Sequence, residues 1–151
     1  MDKTVIFTSN LAQELANQID RLNPDSVFLL TDSNTRNLCL PLLAADSTLA
    51  SYPVIEIPAG DENKDLQSIS IIWEYLSSHG ATRKSLLINI GGGMTTDMGG
   101  FAASTFKRGI NYINIPTTLL GAVDAAVGGK TGFNFNGLKN EIGVIQPADA
   151  V

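Results

Sequence analysis

Carboxylates, lysines and an asparagine gather on glycine-rich stretches in the second half of this sequence. Asp97 follows Gly91-Gly92-Gly93, and Asp124 stands among Ala122, Val123, Ala125, Ala126 and Val127. Lys130 sits in Gly128-Gly129-Lys130-Thr131-Gly132, and Lys139-Asn140 follow the turn pair Asn136-Gly137. Three glycines in a row let backbone approach a diphosphate, whose charge then rests on free N–H groups at the next helix N-terminus. The spacing is not GxGxxG, and such turns also serve close packing alone. Asp97 is expected in the first turn of the following helix, where the dipole alone would favour it. Gly99-Gly100 costs that helix roughly 1 kcal/mol per glycine relative to Ala, so another element or a ligand must come close there. A carboxylate in surroundings as apolar as those of Asp124 needs a partner. Lys130, Lys139 and Asn140 suit a small polyoxyanion such as a sugar phosphate. From composition alone, a solvated hairpin with surface lysines is the commoner arrangement.

The elements that must position these residues are read from apolar periodicity. Thr4-Val5-Ile6-Phe7 reads as a strand, and Asn10 caps a helix carrying Leu11, Leu15, Ile19 and Leu22 on one face until Asn23-Pro24-Asp25 breaks it. Ser26 to Leu30 is the next strand, feeding Thr31-Asp32-Ser33-Asn34, a capping set that opens a second helix. Val54 to Ile57 is a third strand, followed by a helix from about Lys64 to His79 with Leu66, Ile69, Ile72, Trp73 and Leu76 inward. Leu86-Leu87-Ile88-Asn89-Ile90 is apolar enough for a central strand covered on both faces. It runs into the glycine turn and a small-residue helix to about Phe106. Tyr112 to Ile115 is a strand, Thr117 to Ala126 a helix, and Gly128 to Asn140 a loop or hairpin. This alternation predicts one α/β domain over residues 1–151, a Rossmann-like, mostly parallel sheet with helices on both faces. Ligands of such sheets bind at the carboxyl ends of strands, where Asp32, Gly91-Gly92-Gly93 and Thr117-Thr118 fall.

The chain has 151 residues, 44% hydrophobic and 17% charged, with a net charge of -5. Its ten Lys and Arg are scattered, which argues against nucleic acid as a partner. No stretch approaches the roughly 18 apolar residues of a membrane span. Cys39 is the only cysteine, which suits a cytoplasmic location. His79 is the only histidine and stands before Gly80 at a helix end, a capping place, so no metal ligand is assigned. Gln146 to Val151 stops as a new β-prone run begins, the pattern expected of a truncated chain.

Several strings then become recognisable in order: Gly91-Gly92-Gly93-Met94-Thr95-Thr96-Asp97-Met98-Gly99-Gly100-Phe101, Lys107-Arg108-Gly109-Ile110, Pro116-Thr117-Thr118-Leu119-Leu120 with Val123-Asp124, Val127-Gly128-Gly129-Lys130-Thr131-Gly132 with Asn134, and Gly137-Leu138-Lys139-Asn140 with Ile142-Gly143 and Gln146-Pro147. Over these roughly sixty residues the sequence closely resembles the 3-dehydroquinate synthase family.

The resemblance implies conversion of 3-deoxy-arabino-heptulosonate 7-phosphate to 3-dehydroquinate and phosphate in the shikimate pathway, with catalytic NAD and a zinc or cobalt ion. The family's metal ligands, one glutamate and two histidines, belong to a helical C-terminal domain that this sequence lacks, so the chain alone is expected to be inactive. Carried over position by position, Gly92, Gly93, Met94 and Asp97 match diphosphate and ribose contacts, and Thr117, Thr118 and Leu120 the nicotinamide and adenosine side. Asp32 and Asn34 match cofactor positions after the second strand. Asp61 and Lys64 match a pair that is usually Glu and Lys, and Glu62 is the alternative to the shorter Asp61. Asp124, Lys130, Lys139 and Asn140 match substrate positions, with Lys130 and Lys139 also beside the cofactor. Arg108 matches an arginine that reaches the phosphate in the neighbouring subunit of a homodimer; read alone, it is a helix C-terminal cation before Gly109.

Two sister sugar phosphate cyclases, 2-deoxy-scyllo-inosose and 2-epi-5-epi-valiolone synthase, share the glycines but differ at substrate positions, where Lys139-Asn140 favours dehydroquinate synthase. A non-catalytic nucleotide-binding module would have no need of Asp124, Lys130, Lys139 and Asn140.

Overall fold

The computed structural model describes residues 5–45 and 48–151. Helix α1 (Leu11–Leu22) starts where Asn10 Oδ1 accepts from the Gln13 N–H and ends at Asn23, whose φ of 47° turns the chain left-handed. Strand β1 (Val27–Asp32) follows, then helices α2 (Ser33–Leu38) and α3 (Leu40–Ala44). Strand β2 (Val54–Ile57), helix α4 (Leu66–Ser78), strand β3 (Leu86–Gly91), helix α5 (Gly93–Thr105) and strand β4 (Asn111–Pro116) complete the main unit. The four strands are parallel in the order β2-β1-β3-β4.

Alternation along β1 shows why both faces are covered. Phe28 and Leu30 enter a core with Ile69, Ile72 and Leu76 of α4 and Met98, Phe101 and Ala102 of α5. Val27 and Leu29 enter a second core with Leu15 of α1, Leu49, Ile88 and Ile90, against which Leu40 and Leu43 of α3 pack. A strand buried on both faces reads as one apolar run, as Leu86 to Ile90 does. Among the described residues, no helix is long and apolar enough to cross a membrane.

The first expected strand does not form. Thr4 lies outside the described residues, Val5 to Phe7 are not in a strand, and Phe7 is 95% exposed. The place beside β4 is taken by the last residues instead: Ala150 bridges Ile113 in parallel, and the Asn114 N–H donates to its carbonyl at 3.0 Å. Ile6 merely donates its N–H to the Val151 carbonyl.

The segment from Gly128 onward is a hairpin, β5 (Lys130–Phe135) and β6 (Leu138–Ile145), turned by Asn136 and Gly137 at φ of 53° and 76°. Those left-handed values are what an Asn-Gly hairpin turn requires. Thr131, Gly132 and Phe133 of β5 are buried, with Phe133 edge-on to Phe101 of α5 at 5.3 Å. The paired glycines of α5 are thereby explained by neighbouring elements. A Cβ on Gly99 would lie 2.0 Å from Asn89 Oδ1 of β3, and one on Gly100 2.6 Å from Thr131 Cγ2 of β5.

Candidate functional site

Asp32 ends β1, and its Oδ1 accepts from the N–H groups of Asn34 and Thr35, capping α2. Its Oδ2 accepts from the Thr95 hydroxyl at 2.9 Å, which draws the glycine turn toward β1. At the end of β3, Gly92 is the N-cap of α5 and no side chain caps that helix, so its first N–H groups face outward. The next strand end closes in from the other side. The Thr117 N–H donates to the Gly91 carbonyl at 2.9 Å, Thr118 Cγ2 would lie 3.1 Å from a Cβ on Gly92, and Thr118 Oγ1 accepts from the Gly121 N–H. Asp32, Gly92, Gly93, Met94, Thr117 and Thr118 therefore meet along one rim of the sheet. Asn34 is exposed near it through its N–H bond to Asp32, and Leu120 is 69% exposed.

A second cluster lies beyond that turn. Lys64 is only 6% exposed, and its ammonium donates to Asp97 Oδ2 at 2.7 Å and to Asn140 Oδ1 at 2.6 Å. Asp97, Asp124, Lys130 and Asn140 line one cleft of about 490 Å³, together with Thr131 and Glu141. At its edge Lys139 Nζ stands 3.4 Å from Asp61 Oδ2, both exposed, while Glu62 folds its carboxylate back over Gly60. Asp97 is the fifth residue of α5, so it begins the second turn rather than sitting in the first. Its role is then a side-chain contact with Lys64 and not dipole compensation. The expected helix from Thr117 to Ala126 is displaced and locally widened: helical turns run over 119–128, with a π-helical turn at Gly121–Ala125 that carries the exposed Asp124.

Burial pushes the Asp97 carboxyl above its ordinary value of 3.8; the Lys64 hydrogen bond and charge pull it back, and Asp124 adds to the rise. The folded chain thus keeps a proton on Asp97 at pH values where the unfolded chain has lost it. Stability from this group is full below 3.8 and falls as pH rises from there through the higher folded midpoint. Carboxyl-detected NMR is expected to place that midpoint above 3.8, and Asp97→Asn is expected to flatten this part of the stability profile.

Arg108 stands apart. It follows α5 in a turn where Lys107, Arg108 and Gly109 all have positive φ (49°, 69° and 115°), and it borders a different cleft with Asp149 and Gln146. His79 caps the end of α4, its Nδ1 2.9 Å from the Tyr75 carbonyl oxygen and its ring stacked on Tyr75 at 3.8 Å. Among the described residues, no three His, Cys, Asp or Glu side chains group closely enough to hold a metal ion. Two residues gain a structural place to which the sequence assigned no role. Thr95 ties Asp32 to the glycine turn, and Asn134 ties the hairpin to Lys64 and Asp61. Both stand in the strings that carry the family resemblance, but nothing in their residue type or spacing pointed to these particular contacts.

Residues 54–151 match the family model described as 3-dehydroquinate synthase N-terminal. A 3-dehydroquinate synthase of Parabacteroides distasonis is 52% identical over 146 residues, which cover 97% of this chain and 41% of that protein. A crystal structure of 2-deoxy-scyllo-inosose synthase with carbaglucose-6-phosphate, NAD+ and Co2+ superposes with a TM-score of 0.85 at 28% identity, over 97% of this chain and 41% of that one. The 2-epi-5-epi-valiolone synthase of Streptomyces hygroscopicus subsp. jinggangensis, with NAD+ and Zn2+ bound, gives 0.84 at 30% identity, over 99% and 42%. The chain spans well under half the length of these relatives.

Proposed function

The chain belongs to the 3-dehydroquinate synthase family, and on that premise we propose that it is the NAD-binding part of an enzyme that converts 3-deoxy-arabino-heptulosonate 7-phosphate into 3-dehydroquinate and phosphate. The observation that carries this reading is the adjacency of the uncapped glycine turn of α5 to the cleft shared by Asp97, Asp124, Lys130 and Asn140. The turn fits a dinucleotide diphosphate, since Gly92 offers no side chain and the first N–H groups of α5 are free of side-chain caps. Asp32, Asn34, Met94, Thr117, Thr118 and Leu120 would flank the cofactor, and Asp61 with Lys139 would close its outer edge. When bound there, NAD supplies transient oxidation of a secondary alcohol, which makes the neighbouring proton acidic enough for β-elimination of phosphate. Lys130 and Asn140 would bind and orient the sugar phosphate, Lys130 by charge and Asn140 by hydrogen bonding. Asp124, exposed on its π-helical turn, would accept hydroxyl donors of the substrate.

The zinc or cobalt ion of the family does not fit the described residues of this chain. Arg108, turned away from the cleft, would serve a second subunit of a homodimer. We assign the protein to the cytoplasm, with neither nucleic acid nor membrane as partner. The 52% identity to a dehydroquinate synthase, against 28% and 30% to the two sister cyclases, supports this substrate over theirs.

The test is phosphate release from the heptulosonate phosphate with NAD and zinc or cobalt. The full-length protein carrying this chain is expected to turn over, and the 151-residue chain is not. Release of no phosphate by the full-length protein would overturn the substrate assignment.

A further inference from the structure

We propose that Lys64 is a positioning residue whose ammonium straps Asn140 of the hairpin to Asp97 of α5, coupling the cofactor side of the cleft to its substrate side. This rests on the reading above for which ligand lies on which side. Lysine is rarely buried unless paired, and Lys64 is 6% exposed with two acceptors from elements far apart in sequence. Its main chain grips the same hairpin. The Lys64 carbonyl accepts from the Asn134 N–H at 2.8 Å, and Asn134 Oδ1 accepts from the Asn140 N–H at 2.9 Å. Asn134 Nδ2 reaches the Asp61 carbonyl at 3.4 Å.

Two consequences follow for Asn140. Its φ of 52° is a left-handed conformation that asparagine adopts readily, and the bonds to Lys64 and Asn134 fix the residue in it. Its side-chain oxygen is occupied by an ammonium, so the amide's Nδ2 donor is the group left for a ligand. A donor is what a phosphate or hydroxyl oxygen needs, and the strap selects that orientation of the amide. Asp97, gripped by the same ammonium, cannot shift toward or away from a cofactor without pulling on Asn140. Energetic coupling of this kind is reciprocal between the two ligands.

A buried ion pair with only a structural role would move stability and nothing else. The strap makes two further demands. Amide exchange at Asn134 and Asn140 is expected to rise about tenfold in Lys64→Gln while Leu86 to Ile90 stay protected, and Lys64→Arg is expected to restore much of the protection. In NAD titrations by calorimetry, Asn140→Ala is expected to weaken binding about fivefold when Lys64 is present and to change nothing in Lys64→Gln. Equal exchange in wild type and Lys64→Gln would overturn the proposal. So would an Asn140→Ala effect on NAD affinity that is the same in both backgrounds. If Lys64→Gln does not fold, Asn140→Ala reads the contact from the hairpin side through exchange at Asn134, where an unchanged rate counts against the strap. If NAD binds none of these proteins, the cofactor assignment fails, and the exchange measurements still decide the strap.

Discussion

Gly99→Ala is expected to destabilise the chain by about 2–4 kcal/mol, although alanine is the better helix former by roughly 1 kcal/mol. The added Cβ would lie 2.0 Å from Asn89 Oδ1 and 2.4 Å from its Cγ. A flexible side chain at the surface would swing away. Asn89 cannot, because it is fully buried and its Nδ2 donates to Asn114 Oδ1 at 2.9 Å. Either α5 moves off the sheet, which opens the packing of Met98 and Ala102, or the amide pair breaks inside the core. Each route loses more than the helix gains. The amide pair also matters for the site, since Asn114 Nδ2 reaches the Ala126 carbonyl at 3.4 Å, next to the π-helical turn that carries Asp124. Urea unfolding of a double-mutant cycle isolates the contact. In an Asn89→Ala background the clash is gone, and Gly99→Ala is expected to be neutral or mildly stabilising. A loss of the same size in both backgrounds would show that the Asn89 contact is not the cause.

The same pair of residues marks the boundary of what the sequence could tell. Gly99-Gly100 announced a close approach, because glycine inside a helix needs a reason. The identity of the approaching atoms, on Asn89 of β3 and Thr131 of β5, depended on how strands pack against α5, which no local signal reveals. Strands and helices of the main unit were legible because their signals are local. Asn10 and Asp32 cap, Asn23 ends, and Leu86 to Ile90 reads as a doubly covered strand. The misreadings share one origin. Val5 to Phe7 have strand-like residues, but pairing is decided by which segment reaches the β4 edge, and Ala150 takes it. The π-helical turn at Gly121–Ala125 is likewise invisible to a 3.6-residue pattern, and it determines where Asp124 faces. For the site, the glycine turn and the cleft lysines were legible as types. The Lys64–Asp97–Asn140 contact was not, since it joins three elements through side chains alone.

Gly93→Val is expected to weaken NAD binding at least about tenfold, or 1.4 kcal/mol, while leaving the fold intact. Gly93 is the first residue of α5, directly after an N-cap that contributes no side chain. A helix start of this kind offers N–H groups and positive potential to a phosphate only while nothing covers it. A branched side chain at this position would stand between the N–H groups and the ligand and hold the phosphate oxygens beyond hydrogen-bond distance. The backbone nitrogen of Gly93 also lies close to Gly121, 3.4 Å from where a Cβ on that residue would stand, so the turn after β4 borders the same helix start. The helix itself should tolerate valine, whose intrinsic penalty is below about 1 kcal/mol. Calorimetric titration of wild type and Gly93→Val with NAD, alongside thermal unfolding of both, separates loss of binding from loss of fold. Equal heats from two folded proteins would remove the glycine turn as the diphosphate cradle. The cofactor would then have to be sought at the Lys64 cluster, where the ammonium is already paired with Asp97 and hydrogen-bonded to Asn140.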